Sequence, residues 1–216
     1  MNFRQVIKSV INSIFPGSMR KNVKSVYQRQ HLKKGPRLVT IGGGTGLSVL
    51  LRGLKEYTSN ITAIVSVADD GGSSGRLRGQ LGVLPPGDLR DCLVALADTE
   101  SAMESLFNYR FTGGEELAGH SLGNLLLVAM ADLTGSFETA LHEAGKVLAI
   151  RGKVVPATYT DLRLGAELED GSLLMGQSSI AQTEKRIKKV FLKPAVCQPT
   201  PEALAAIREA EAIILG

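Results

Sequence analysis

Four short segments hold the residues whose types and spacing could do chemistry. The first is Gly42-Gly43-Gly44-Thr45-Gly46, a turn of small residues that leaves backbone N–H groups accessible. Between a strand and a helix start, such a turn can cradle a phosphate, because unpaired N–H groups and the helix dipole both favour an anion. Leu47 follows, so the third glycine of the usual dinucleotide fingerprint is absent from its expected place. A tight turn that only packs helix on strand is the plain alternative, and the flanking elements favour phosphate binding over it.

The second segment runs from Asp69-Asp70 through Gly71-Gly72-Ser73-Ser74-Gly75 to Arg76. Its adjacent carboxylates could meet a ribose hydroxyl, hold Mg²⁺, or hold and deprotonate a substrate hydroxyl. The small residues after them, Gly71, Ser73 and Ser74 included, can form an anion-cradling backbone nest that Arg76 backs with charge. A solvated loop capped by its own Asp side chains is the alternative. The third segment, residues 85–91, is a rigid turn entering a helix, where Asp88 either caps that helix or faces the site. In the fourth, Gly119-His120-Ser121-Leu122-Gly123-Asn124, His120 and Asn124 stand four apart at a helix start and can share a face. Both suit recognition of a polar ligand, and His120 could serve as acid or base; a purely local hydrogen-bonding role competes. His31 and His142 lack such surroundings. Cys92 and Cys197 fall in no metal-spaced pair and suit a reducing, cytosolic setting.

The elements that must position these segments alternate between strand and helix. Residues 37–41 form a short apolar strand before the glycine turn, and 47–57 read as a helix with Leu47, Leu50, Leu51 and Leu54 on one face. Residues 61–68, almost all β-branched or apolar, fit a second strand buried on both sides. Strand, turn, helix and parallel strand make a right-handed βαβ unit. Residues 69–91 are too rich in Gly, Pro and charge for core and read as a long polar stretch. Helices are expected near 89–97, 102–109, 122–133 and 137–150, the last capped by Ser136. Residues 162–168 and 172–175, joined by Glu169-Asp170-Gly171, predict a β-hairpin, and 188–192 another strand. A helix over 202–210 and a buried strand over 212–215 end the chain. The fold class is α/β: a Rossmann-like, mostly parallel sheet with helices on both faces and a small β-hairpin insert. Open sheets of this kind bind ligands at the carboxyl edge, where this chain stops.

Of 216 residues, 44% are apolar and only 5% aromatic, with no Trp, which suits an aliphatic core. The net charge of +4 is unevenly spread. Residues 1–36 hold eight Lys/Arg and no Asp or Glu, so residues 37–216 carry 17 basic against 21 acidic groups. That body is a poor nucleic-acid binder. Residues 3–15 recur at helical spacing, with Phe3, Val6, Ile7, Val10 and Ile11 opposite polar residues, before Pro16-Gly17 stops the pattern. A basic amphipathic helix can lie on an anionic membrane, sit in a partner's groove, or dock on its own domain. Residues 1–36 are therefore divided from a domain over 37–216. No apolar run is long enough to span a bilayer and no signal-peptide pattern appears.

Together, the four segments resemble the bacterial gluconeogenesis factor family, which is similar to 2-phospho-L-lactate transferase, an enzyme of deazaflavin cofactor synthesis. The hairpin around 166–171 also matches the gluconeogenesis-factor branch, and the resemblance covers 37–216. It implies a cytoplasmic, Rossmann-like protein, needed for cell shape and wall synthesis on gluconeogenic carbon sources. It further implies a regulator that binds a nucleotide sugar such as UDP-N-acetylglucosamine, with no established reaction. Gly42 to Gly46, Asp69, Asp70, His120 and Asn124 would line its cleft. The transferase alternative would use Mg²⁺ to move a phospholactyl group onto a deazaflavin precursor. Family members usually continue for about a hundred residues beyond this point, so the domain is expected to lack its C-terminal portion. Residues 1–36 lie outside the match and could bring the protein to the inner membrane face or to another protein. The sequence sets no oligomeric state, a homodimer being one option.

Overall fold

A computed structural model describes residues 30–98 and 101–216. Its centre is a four-stranded parallel sheet. β1 (Leu38–Gly42) and β2 (Ile61–Val65) pair in register from Leu38 on Ile61 to Gly42 on Val65. β3 (Lys153–Pro156) lies outside β2, and β7 (Ala212–Leu215) lies on the other side of β1, giving the order β3-β2-β1-β7. The chain thus builds outward from β1 in one direction and later returns to its opposite side. Between β1 and β7 the connections diverge, which opens the crevice where ligands of open α/β sheets bind.

Alternation along the strands divides the core between two faces. Ile61, Ala63 and Val65 face α1 (Gly44–Leu54), α3 (Gly87–Leu96), α5 (Leu122–Thr134) and α6 (Phe137–Val147). Leu47, Leu51, Leu89, Leu93, Leu96 and Leu127 are fully buried in that layer. On the other face Val39, Ile64 and Val155 meet Ala203 of α8 (Pro201–Glu209). β-branched residues on both faces of β2 explain why the run reads as continuously apolar.

Three elements depart from the expectations above. The polar stretch 69–91 contains a helix, α2 (Gly72–Leu81), despite its glycines. Ser73, Ser74, Leu77 and Arg78 are its buried residues, so tertiary bonds rather than an apolar stripe hold it. β3 went unread because it is four residues long and ends in a proline, which an edge strand tolerates. α7 (Gln177–Gln182) is a six-residue helix with no buried residue and no apolar periodicity. α4 (Ser101–Asn108) fits its expected place.

The expected hairpin is part of a second, antiparallel sheet of order β5-β4-β6, with β4 (Arg163–Leu168), β5 (Leu173–Met175) and β6 (Ile187–Lys193). The amphipathic helix expected over 3–15 lies outside the described residues. Residues 32–36, which composition places in a linker, rest on the domain. Leu32 is buried, and Asn60 Nδ2 donates to the carbonyls of Lys33 and Gly35 at 2.9 and 2.7 Å. Among the described residues no helix is long and apolar enough to cross a membrane.

Leu51 sits at the contact of α1 with the sheet and is wholly excluded from water. Truncation should leave a cavity that this close-packed layer cannot fill. We expect Leu51→Ala to lower the unfolding free energy by about 2–5 kcal/mol. Urea denaturation measures it, and a loss below about 1 kcal/mol would refute this view of the core.

Candidate functional site

Three of the four motif segments meet around the first turn of α2, at the carboxyl edge of the parallel sheet, and the glycine turn joins them through Asp88. The loop leaving β2 reverses at Asp69, whose Oδ1 accepts the Gly71 N–H at 3.0 Å. α2 then begins, and its adjacent serines reach two different neighbours. Ser74 Oγ accepts the Gly87 N–H at 3.1 Å, fixing the start of α3. Ser73 Oγ accepts Asn124 Nδ2 at 3.1 Å and lies 2.9 Å from His120 Nδ1, fixing the start of α5. Gly75 is what permits this closeness: a β-carbon there would stand 1.9 Å from the Asp70 carbonyl oxygen.

The glycine turn has the form expected of it. Gly44 lies at φ +66°, in the left-handed region, and a β-carbon there or at Gly46 would meet nothing within 4 Å. Yet the Asp88 carboxylate lies close enough to the turn for the Gly44 N–H to act on it. A β-carbon on Gly43 would stand 2.8 Å from Asp88 Oδ2, which places that carboxylate against the turn. Burial pushes the Asp88 carboxyl above the usual Asp range, the Gly44 N–H opposes the shift, and the charge of Asp69 adds to it. Magnitudes show what this does to an incoming anion. A second negative charge about 4 Å from an ionised Asp88 meets roughly 4 kcal/mol of repulsion at an effective dielectric of 20. The helix end offers only about 0.3–1 kcal/mol in return. A phosphate at the turn therefore needs Asp88 protonated or its charge balanced.

The two adjacent aspartates take different partners. Asp69 holds its own loop, whereas Asp70 Oδ1 accepts the Ser178 N–H at 2.8 Å, at the start of α7. Asp70 thereby ties the second sheet's helix to the site loop. The charge of Asp69 acts on Asp88, and the two carboxylates offer oxygen donors of the kind that suit a hard divalent cation. Among the described residues no group of three or more His, Cys, Asp or Glu gathers at metal-holding distance.

His120 and Asn124 do share a face, through Ser73 rather than by touching solvent. Their relative exposures are 5% and 2%. Burial first, then Arg76 and Arg110, holds the His120 imidazole below its ordinary pKa, so it is neutral at physiological pH. Asn124 fills one lone pair of Ser73 Oγ, and the 2.9 Å contact with His120 Nδ1 is made either by the hydroxyl proton donating to Nδ1 or by an Nδ1–H donating to the second lone pair. A serine beside an imidazole invites a nucleophilic role. Ser73 is itself buried and already accepts the Asn124 amide, and the charged groups acting on His120 are arginines rather than an orienting carboxylate. The geometry is that of a positioning network. Asn124 Oδ1 is buried without a partner, an acceptor left open in this network.

Four further residues complete the site that composition and spacing did not single out. Arg78, 6% exposed, donates Nε to Asp161 Oδ1 at 2.8 Å, and its Nη2 bonds the Leu162 carbonyl. It pins α2 to the chain entering β4. Arg90 donates to Ser121 Oγ at 2.8 Å, and Ser121 caps α5 by accepting the Asn124 N–H. Arg110 Nη1 donates to the Gly119 carbonyl at 2.6 Å. The four-residue step from Ser74 to Arg78 was a readable sign of a common helix face; the others depend on contacts across the fold. A cavity of about 880 Å³ lies at the opposite edge of the sheet, lined by Leu38, Asn60, Ile61 and Lys153. None of the motif residues lines it, and convergent polar groups mark the carboxyl edge instead.

Ser73→Ala removes the oxygen that His120 and Asn124 share. Two buried polar groups then lose their partner, and we expect stability to fall by about 1–3 kcal/mol. Equilibrium unfolding checks this; a neutral substitution would mean water or another group takes the place of Oγ.

Comparison with known proteins identifies the family. The family model for 2-phospho-L-lactate transferase CofD matches residues 38–216. The gluconeogenesis factor of Bacillus subtilis is 55% identical over 181 residues, covering 84% of this chain and 57% of that protein. A relative from Nostoc sp. is 52% identical over 212 residues, covering 98% of this chain and 46% of its own length. The chain thus spans about half the length of the curated relatives it matches. A crystal structure of a Bacillus halodurans protein superimposes with a TM-score of 0.82 at 54% identity, covering 85% of this chain and 59% of that one. A match that takes in the whole parallel sheet and every motif around α2 places the chain in the family of 2-phospho-L-lactate transferase CofD, with gluconeogenesis factors among its near relatives.

Proposed function

We propose that the protein binds a nucleotide sugar of the UDP-N-acetylglucosamine type and acts as a regulator of carbon flow into the cell wall, without itself making or breaking a bond. The observation that carries this is the convergence of Asp69, Asp88, His120 and Asn124 on one turn of α2 at the sheet's carboxyl edge. Such a cleft offers carboxylates to sugar or ribose hydroxyls, plus a neutral imidazole and an open amide acceptor to a polar head group. The relatives named gluconeogenesis factor support the regulatory role, and cell shape on gluconeogenic carbon sources is the expected phenotype. The tight use of Ser73 by its neighbours supports a binding role over nucleophilic catalysis. Because relatives are about twice as long, the activity of the whole protein is part of the proposal. Calorimetry with UDP-N-acetylglucosamine tests it. We expect saturable heat in the micromolar to millimolar range, and none at millimolar ligand would end this reading.

The family model's description, 2-phospho-L-lactate transferase CofD, supports a second reading, which we take as a Mg²⁺-dependent transferase acting on a deazaflavin precursor. Asp69 and Asp88 would hold the ion in that case, since Asp70 is committed to α7. The ion would balance the charge that otherwise keeps a phosphate from the glycine turn. Incubation with Mg²⁺, an activated phospholactate donor and the deazaflavin acceptor decides the matter by mass spectrometry. We expect unchanged acceptor beside an active control enzyme; a mass gain of one phospholactyl group would replace the first reading with the second.

A further inference from the structure

Charge is unevenly spread across the cleft. On the glycine-turn side the Asp88 carboxylate lies against the turn, where the negative charges of Asp69 and Asp91 act on it together with the positive charge of Arg90. On the other side the charged groups acting on His120 are Arg76 and Arg110, both cationic. These two guanidinium groups are held by consecutive carbonyls of one loop. Arg76 Nη2 donates to Ala118 at 2.7 Å, and Arg110 Nη1 donates to Gly119 at 2.6 Å. Among the described residues neither forms an ion pair within 4 Å, although Glu115 and Glu116 lie in the same loop and the charge of Arg110 reaches Asp91. Each guanidinium has five donors, and each spends one on its carbonyl. The remaining donors belong to two fixed positive charges beside a buried imidazole.

We propose that the Arg76–Arg110 pair, and not the glycine turn after β1, is the anion grip of this cleft, and that it takes a diphosphate group. The inference rests on the nucleotide-sugar reading for the identity of the whole ligand, but the anion site has its own support. Two planar forks on adjacent carbonyls match the several oxygens of a diphosphate better than a single carboxylate. Arg76 stands one turn into α2, so its side chain leans back over that helix's first turn. There Gly72 lies at φ +48° ahead of helical residues, a backbone form that turns consecutive N–H groups toward an anion. The neutral His120 stands beside them, held by Ser73. The ligand then lies with its phosphates toward α5 and its hydroxyls toward Asp69 and Asp88, the reverse of the orientation that the glycine motif suggests.

Inorganic pyrophosphate and UDP-N-acetylglucosamine are titrated separately into the wild type, Arg76→Gln and Arg110→Gln. Each substitution should weaken both ligands about 10- to 100-fold, the range for losing charge-assisted hydrogen bonds. Arg208→Gln, on α8 across the sheet, removes the same charge and should stay within about twofold. In the ¹⁵N-labelled wild type, pyrophosphate should move the Arg76 and Arg110 Nε–H resonances and leave the Gly44 and Thr45 amides in place. That spectrum needs no variant to fold. The opposite pattern, wild-type affinity in both Gln variants, or no pyrophosphate binding at millimolar concentration overturns the proposal. If the Arg pair binds pyrophosphate but the nucleotide sugar gives no heat, the nucleotide-sugar reading falls and the anion grip stands. If the sugar binds and the Gln variants are indifferent to it, the reverse holds.

Discussion

The carbonyl oxygen of Asp70 lies so close to the first turn of α2 that only a glycine fits at position 75. Much of the cleft follows from that contact. It lays α2 flat against the loop leaving β2, which brings Ser73 and Ser74 within reach of two helix starts at once. The helices α3 and α5 also meet directly, through Arg90 on Ser121. They are aligned because neighbouring hydroxyls on a third helix bond to each of them. A side chain at Gly75 would push α2 away and break both sets of bonds together, so the glycine is a constraint on packing rather than a source of flexibility.

Electrostatics then divides what packing has assembled. The Asp88 carboxylate lies against the glycine turn, and burial holds it above the usual range for its type. Guanidinium groups flank His120, and burial with those charges keeps the ring neutral. The cleft is therefore polar in both senses of the word: it has opposite electrical ends. A ligand that carries phosphate at one end and hydroxyls at the other fits such a field in one orientation far better than in the other.

The small antiparallel sheet is joined to the same place. Asp70 caps α7 from across the loop, and the buried Arg78 bonds Asp161 and Leu162 ahead of β4. One aspartate of the Asp69-Asp70 pair thus faces the cleft and its neighbour holds an accessory sheet in register with it. The same short segment lines the candidate site on one side and holds the accessory sheet on the other, which accounts for its density of small and charged residues.

How much of this was legible in the sequence differs by element. β1, α1, β2, α8 and β7 were readable because their apolar periodicity is local and their ends carry glycine, proline or capping residues. The four motif segments were readable as candidates, since turns and carboxylates announce themselves by type. α2 was not, because its stability comes from Ser73, Ser74 and Arg78 bonding to residues 13 to 84 positions away. The same distance hid Arg110, whose role depends on a loop closing beside Arg76. By itself the sequence determined which residues could bind, and the α/β frame that carries them. Only the tertiary structure decided which of their donors and acceptors remain free. It set Asp88 against the glycine turn and gave Asp70 to α7 and Ser73 to His120 and Asn124, because a hydrogen bond spent on a neighbour in the fold is no longer available to a ligand.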